Sequence, residues 1–309
     1  MGTKLNGPVL MGRIVVITGA SSGFGRGAAL AFAREGAHLV LAARRADLLN
    51  EVVRQCEAAG VNAIAVPTNV SNHSEVAQLA EVARDTFSRV DVWVNGAGVA
   101  ALGNFEDIPI ADHQQVIATN LMGTLYGSHE AIRIFTGQGH GTLINIASEL
   151  GKHPVPYYSS YTAAKHGVVG LSASIRQELM QRPELAAIQV CTIIPTAHDT
   201  PFFDHVANYT GREVNPPEPL HDPFEVVSAI VEAARRPTDE AIIGGDGVLK
   251  VALRSLLPSL AEKVTSKQMH RTQIELPPAA GDTPGALHAP VPKGTTVRGG
   301  WRERKVNNL

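Results

Sequence analysis

Cysteine is scarce in this sequence: two residues in 309, Cys56 and Cys191. Both sit in apolar-patterned segments, which excludes a disulfide framework and points to a reducing compartment, the cytoplasm. No run of 18 apolar residues occurs, so neither a spanning helix nor a secretory hydrophobic segment is expected. Neither sign of charge is in surplus, with 27 Lys and Arg against 29 Asp and Glu. A general attraction to nucleic acid or to an anionic membrane is therefore not expected. The opening MGTKLN places Asn6 where a myristoylation signal needs Ser or Thr. His198 and His205 are too isolated to read as metal ligands, and no metal is expected. What is present is an ordinary globular composition, 44% hydrophobic and 18% charged. The length suits one large α/β domain or two small ones with a well-buried core.

Strand and helix patterns alternate. Residues 13–18, RIVVIT, read as a strand buried on both faces, running into GASSGFG and then an alanine-rich helical stretch over 26–34. Strand, glycine turn and helix form the context a phosphate-binding loop requires. Gly19 permits the tight turn, Gly23 lets backbone approach a pyrophosphate, and Gly25 allows close packing of helix on strand. A plain glycine turn is the blander account. Strand 38–43 ends in Arg44 and Arg45, with no acid before Asp47. At a strand end facing an adenosine ribose, guanidinium forks favour a 2′-phosphate, and so NADP(H) over NAD. A solvated basic turn would explain them equally simply.

The alternation continues through helix 46–59, strand 61–67, helix 72–88, strand 90–94, a long helical stretch over 110–136 and strand 141–147. This predicts a doubly wound parallel sheet of Rossmann type, flanked by helices. Asn69 and the Asn95-Gly96-Ala97-Gly98 loop fall at C-terminal strand ends, where such sheets bind ligands. Asn120 lies in mid-helix against its propensity. The densest chemistry follows strand 141–147. Ser148 comes first, and a helical stretch over 158–181 then carries Tyr161 and Lys165 at i, i+4, on one face. A free phenol titrates near about 10. A neighbouring ammonium is expected to lower that value towards the working range, while the serine hydroxyl bonds a substrate oxygen.

TGASSGFG (18–25), NGAG (95–98), Asn120, Ser148 and Y-x-x-x-K (161–165) stand in the order and spacing of the short-chain dehydrogenase/reductase family, which residues 12–245 resemble. The resemblance implies an NADP(H)-dependent alcohol dehydrogenase or carbonyl reductase, a hydride passing between NADP(H) and a carbonyl or secondary alcohol. By resemblance, Tyr161 is the general acid/base. Lys165 binds the nicotinamide ribose and tunes the phenol, Ser148 orients the substrate carbonyl, and Asn120 holds a water in a proton relay to Lys165. The cofactor site it implies comprises Gly19, Ser21, Ser22, Gly23, Phe24 and Gly25 of the glycine loop, then Arg44, Asn69, Val70, Asn95, Ala97 and Gly98. Tyr161, Lys165, Pro195 and Thr200 complete it. In that reading Asn69 touches adenine and Asn95 supports the central strand.

Asn69 replaces the family's usual Asp, NGAG the commoner NNAG, and Pro195-Thr196 the usual Pro-Gly. A catalytically silent NADP-binding scaffold or redox sensor is the competing reading, which the intact Ser148, Tyr161 and Lys165 disfavour. The loop 201–222 holds Phe202, Phe203 and Tyr209, a lining suited to an apolar small molecule. Residues 1–247 are expected to form the catalytic domain, closed by helix 223–235 and strand 240–244, and residues 248–309 an extension. Leu249, Leu253, Leu256, Leu260 and Val264 recur at helical spacing there, with a break near Leu257 and a restart at Pro258. Such helices could cover the substrate loop or lie on a bilayer surface. The lack of any aromatic between Val248 and Met269 favours covering. From Pro277 an extended or disordered tail is expected, with Trp301 its one large anchor. Apolar positions in excess on helices 110–136 and 158–181 suggest a homodimer or homotetramer.

Overall fold

The computed structural model describes residues 10–245 and 258–307, with side chains through 304. Strand β1 (Ile14–Thr18) is wholly buried. Its β-branched run has apolar neighbours on both faces, as a central parallel strand needs. It passes through the glycine loop into α1 (Gly23–Arg34), and the pattern repeats through β2 (His38–Ala43), α2 (Ala46–Glu57), β3 (Ala63–Pro67), α3 (His73–Phe87) and β4 (Val92–Asn95). After the short β5 (Ala101–Leu102) come α4 (Ile110–Ile117), α5 (Gly123–Gln138), β6 (Gly141–Ile146), α6 (Ser159–Met180) and β7 (Ile188–Pro195). The short α7 (Phe202–His205) and β8 (Ala207–Asn208) lead to α8 (Pro223–Arg235) and β9 (Glu240–Ile243). Two further helices, α9 (Pro258–His270) and α10 (Trp301–Asn307), belong to the extension.

Seven strands form one parallel sheet in the order β3-β2-β1-β4-β6-β7-β9. The order reverses beside β1, which creates a crevice at the C-terminal ends of β1 and β4. One apolar layer lies between the sheet and α1, α2 and α8, containing Phe32, Leu39, Leu41 and Ile230. The opposite layer, under α3 and α5, contains Trp93, Phe135 and Leu143. Both cysteines are buried and free. Among the described residues no helix is long and apolar enough to cross a membrane.

Two features depart from the sequence reading, and one expectation falls partly outside the described residues. The helix expected over 110–136 is interrupted by a π-helical turn, Ala118–Met122, centred on Asn120. Helix α9 is described from Pro258 onward, while the expected break near Leu257 and the positions Leu249, Leu253 and Leu256 lie outside the described residues. The tail beyond Pro277 is largely irregular, yet it is pinned along its length to the α/β body and ends in the helix α10.

Candidate active site

The glycine loop forms one end of a cavity of about 540 Å³ at the switch point. Gly19 sits at φ +73, and a Cβ there would come within 2.8 Å of the Ala97 backbone. A Cβ on Gly25 would lie 2.3 Å from the Gly19 carbonyl oxygen. Gly23, at φ +53, has only the Thr200 Cβ in reach, at 3.8 Å, so its outer side faces open space. The loop is therefore packed tightly behind and open on the Cβ side of Gly23, as a diphosphate cradle is, while the Gly23 amide donates to the Thr296 carbonyl. Ser21, Ser22 and Phe24 line the cavity with these glycines, as do Arg44, Asn69 and Val70, Ala97 and Gly98, and Pro195 and Thr200.

Ser148, Tyr161 and Lys165 close the other side. Ser148 leaves β6 in extended conformation and accepts a hydrogen bond from the Leu150 amide, which caps the turn Glu149–Gly151 and fixes its hydroxyl on the cavity wall. The buried Lys165 donates from Nζ to the Ile146 carbonyl at 2.8 Å and lies 5.6 Å from the centre of the Tyr161 ring. The expected direction of tuning is reversed. Burial pushes the Tyr161 phenol up to about 12, outweighing its hydrogen bond with Ser148, and Glu149 adds to the rise. Burial also brings the Lys165 ammonium down to about 8. Tyr161 is thus held as a neutral phenol, a proton donor at neutral pH.

Two expected site residues stay off the cavity wall. Asn120 is fully buried; its Nδ2 donates to the Val99 and Val116 carbonyls at 2.8 Å each, and its Oδ1 accepts from the Val99 amide. Its side chain is spent on holding the strand β4 loop to the helix. It still abuts the site, since a Cβ on Gly98 would meet Asn120 Oδ1 at 2.9 Å and Lys165 Nζ at 3.9 Å. Asn95 is likewise buried off the cavity wall. It bonds Asn145, Ser128 and the Trp93 indole inside the core, and Asn145 in turn bonds Ser172. That network ties β4 and β6 to α5 and α6, which supports the expected role in bracing the central strand.

Arg45 and Phe202, both read from the sequence, also line the cavity, together with residues that carried no sequence signal. Arg45 turns inward with Arg44 and donates to Ser22 Oγ at 2.9 Å and Ser21 Oγ at 3.1 Å. The apolar part is built by Phe202, 5.6 Å from the Tyr161 ring, with Leu150, Val155, Tyr158 and Met269. Within it Glu149 and His153 pair at 3.4 Å. Tyr209, expected in the lining, instead bonds Asp112 and packs away from the cavity. The π-helical turn that follows α9, Arg271–Glu275, covers the loop at 201–222: Gln273 bonds the Asn215 carbonyl at 2.6 Å and Asn215 bonds that of Thr272, while Tyr157 meets His270 at the end of α9 at 2.6 Å. Leu260 and Val264 of α9 are exposed at the mouth.

Far from the cavity, His73, His129 and Glu130 place one ligand atom each within 4.8 Å of one another. Arg133 already holds the Glu130 carboxylate, and His73 opens α3 at the positive end of its dipole. Both features work against a cation there.

A family model described as short chain dehydrogenase matches residues 13–209. An uncharacterized oxidoreductase of Bacillus subtilis, YxnA, is 35% identical over 273 residues, covering 88% of this chain and 76% of its own. A short-chain dehydrogenase/reductase from Burkholderia phymatum, solved with NAD, superposes with a TM-score of 0.73 at 27% identity, covering 82% of this chain and 96% of its own. A metagenomic short-chain oxidoreductase solved with NADP gives 0.64 at 27% identity, over 76% and 97% of the two chains.

Proposed function

The chain belongs to the short-chain dehydrogenase family of oxidoreductases, and on that premise we propose that it transfers a hydride between NADP(H) and an apolar carbonyl or secondary-alcohol substrate. The observation that carries this reading is the joining, in one cavity, of the glycine loop with Ser148, Tyr161 and Lys165. The cradle suits a dinucleotide. Arg44 and Arg45 stand where β2 ends, with Arg26 near enough to act on Arg45, and no carboxylate lies on β2 to accept a 2′-hydroxyl. Relatives solved with NAD and with NADP both exist, so the preference for NADP(H) rests on these arginines.

Bound nicotinamide supplies the hydride. Everything else falls to the chain. Ser148 hydrogen-bonds the substrate carbonyl and fixes its direction, and Tyr161, held protonated, delivers the proton to that oxygen. Lys165, buried and pinned to Ile146, holds the nicotinamide ribose and places a positive charge beside the developing alkoxide. Phe202, Val155 and Met269 keep water away and favour an apolar substrate.

The test is Tyr161→Phe, assayed by NADPH consumption across a panel of ketones and aldehydes, with cofactor affinity read separately by fluorescence. Turnover should fall by about a hundredfold or more, the scale of a lost general acid, while NADPH affinity stays within about twofold. Near-normal turnover in the variant would remove Tyr161 from the chemistry.

A further inference from the structure

The chain's own segment 284–297 crosses the arginine end of the cavity. It is tied down on both sides. Upstream, Leu287 is fully buried beside Val99, Ile108 and Ala207, the Ala286 amide bonds the His205 carbonyl, and His288 meets Asp112 at 2.7 Å. Downstream, the Gly23 amide donates to the Thr296 carbonyl at 2.9 Å and Arg26 to that of Thr295 at 2.6 Å. Between these anchors His205 Nε2 bonds the Lys293 carbonyl at 2.9 Å.

The crossing engages the two arginines assigned above to the cofactor. Arg44 donates to the carbonyls of Leu287 at 2.9 Å and Ala286 at 2.5 Å, and Arg45 to those of Val291 at 3.3 Å and Lys293 at 3.4 Å. A guanidinium has five N–H donors. Arg44 gives two of them to the strap, and a neutral carbonyl leaves its charge intact. The strap therefore aims these groups without neutralising them. At the arginine end it does not plug the site, because Ala286, Pro290 and Val291 line the same cavity as Arg44, Arg45 and Asn69; at the glycine loop it takes only the Gly23 amide. Space continues beneath the strap.

We propose that residues 286–293 form the outer wall of the cofactor's adenosine subsite, so that NADP(H) enters and leaves only when the strap opens. The inference rests on the NADP(H) reading above. A phosphorylated ribose beneath the strap meets guanidinium groups held in place by strap carbonyls, and its escape requires those bonds to break. The wall thus contributes twice, to the residence time of the cofactor and to the choice of NADPH over NADH.

Two variants test this by stopped-flow displacement of fluorescent NADPH with excess NADP. One is the chain truncated after residue 283. The other is Gly294→Val, whose Cβ would lie 2.6 Å from His205 Nε2 and 2.7 Å from Pro201 Cβ at a φ of +68, and so pushes the strap outward without removing its anchors. In both, NADPH should leave at least ten times faster than from the full chain, and the ratio of NADPH to NADH affinity should shrink. If the truncated chain loses the far-ultraviolet circular dichroism of the intact protein, Gly294→Val decides alone. Release unchanged within twofold in Gly294→Val overturns the wall. So does tighter binding with no faster release in the truncated chain, which would make the strap a plug. Failure of the full chain to bind NADPH at all removes the cofactor reading itself, a distinct outcome that takes the wall with it.

Discussion

Tyr161 and Lys165 titrate in opposite directions, and the pair fixes how the reaction should depend on pH. Burial keeps the phenol protonated to about 12 and strips the ammonium of its proton above about 8. Carbonyl reduction needs a neutral phenol and benefits from the lysine charge. Its kcat/KM should therefore be level through neutral pH and fall above about 8, as Lys165 becomes neutral. Alcohol oxidation needs the phenolate and should rise with pH over the same range. Profiles measured in both directions check this, and a reduction rate that climbs above pH 8 would contradict it. These groups were legible because the chemistry is local: Ser148, Tyr161 and Lys165 lie within one strand-to-helix segment, and helical spacing alone puts the last two side by side. The direction of their titration was not legible. Spacing shows the neighbouring charge, whereas the larger effect is the desolvation that only the closed cavity supplies. The strap partners of Arg45 were similarly opaque, since they lie more than 240 positions away along the chain.

At the level of elements, the informative miss is the helix over 110–136. Apolar periodicity reads straight through it, yet the backbone widens into a π turn at Ala118–Met122. A π turn adds a residue without changing local propensity, so no sequence pattern announces it; such turns gather at functional sites. Here it lets Asn120 bond the carbonyls of Val99 and Val116 together and bring the loop carrying Gly98 to within reach of Lys165. Asn120→Ala would leave two buried carbonyls without that partner. We expect a loss of about 2 kcal/mol in unfolding free energy, on the scale of buried unsatisfied groups, together with a drop in kcat larger than any change in substrate KM. Chemical denaturation and steady-state kinetics on one preparation separate the two effects. Full activity with reduced stability would confine Asn120 to scaffolding.

The whole molecule follows from alternation: strands flanked by amphipathic helices can bury both sheet faces only as a doubly wound layer, and right-handed crossovers leave few strand orders. What alternation leaves open is the part of each helix turned away from the sheet. Leu121, Leu125 and Ile132 fall on one side of the π turn and α5, with Leu125 exposed and the other two half-buried. On α6, Leu171 and Ile175 are half-buried and Met180 is exposed. Leu125 and Met180 stay exposed among the described residues, and two adjacent helices of this kind present a surface that a two-fold axis can make self-complementary. We expect a homodimer, or a dimer of such dimers, assembled through α5 and α6. Light scattering behind size exclusion should return at least twice the chain mass at micromolar concentration. Leu125→Glu, which places a charge in the middle of that face, should shift the population towards monomer while leaving the far-ultraviolet circular dichroism unchanged, because the residue faces solvent in the isolated chain. An unaltered assembly in Leu125→Glu would place the contact elsewhere, and a wild-type chain that stays monomeric at every concentration would mean that these apolar residues are simply tolerated at the surface.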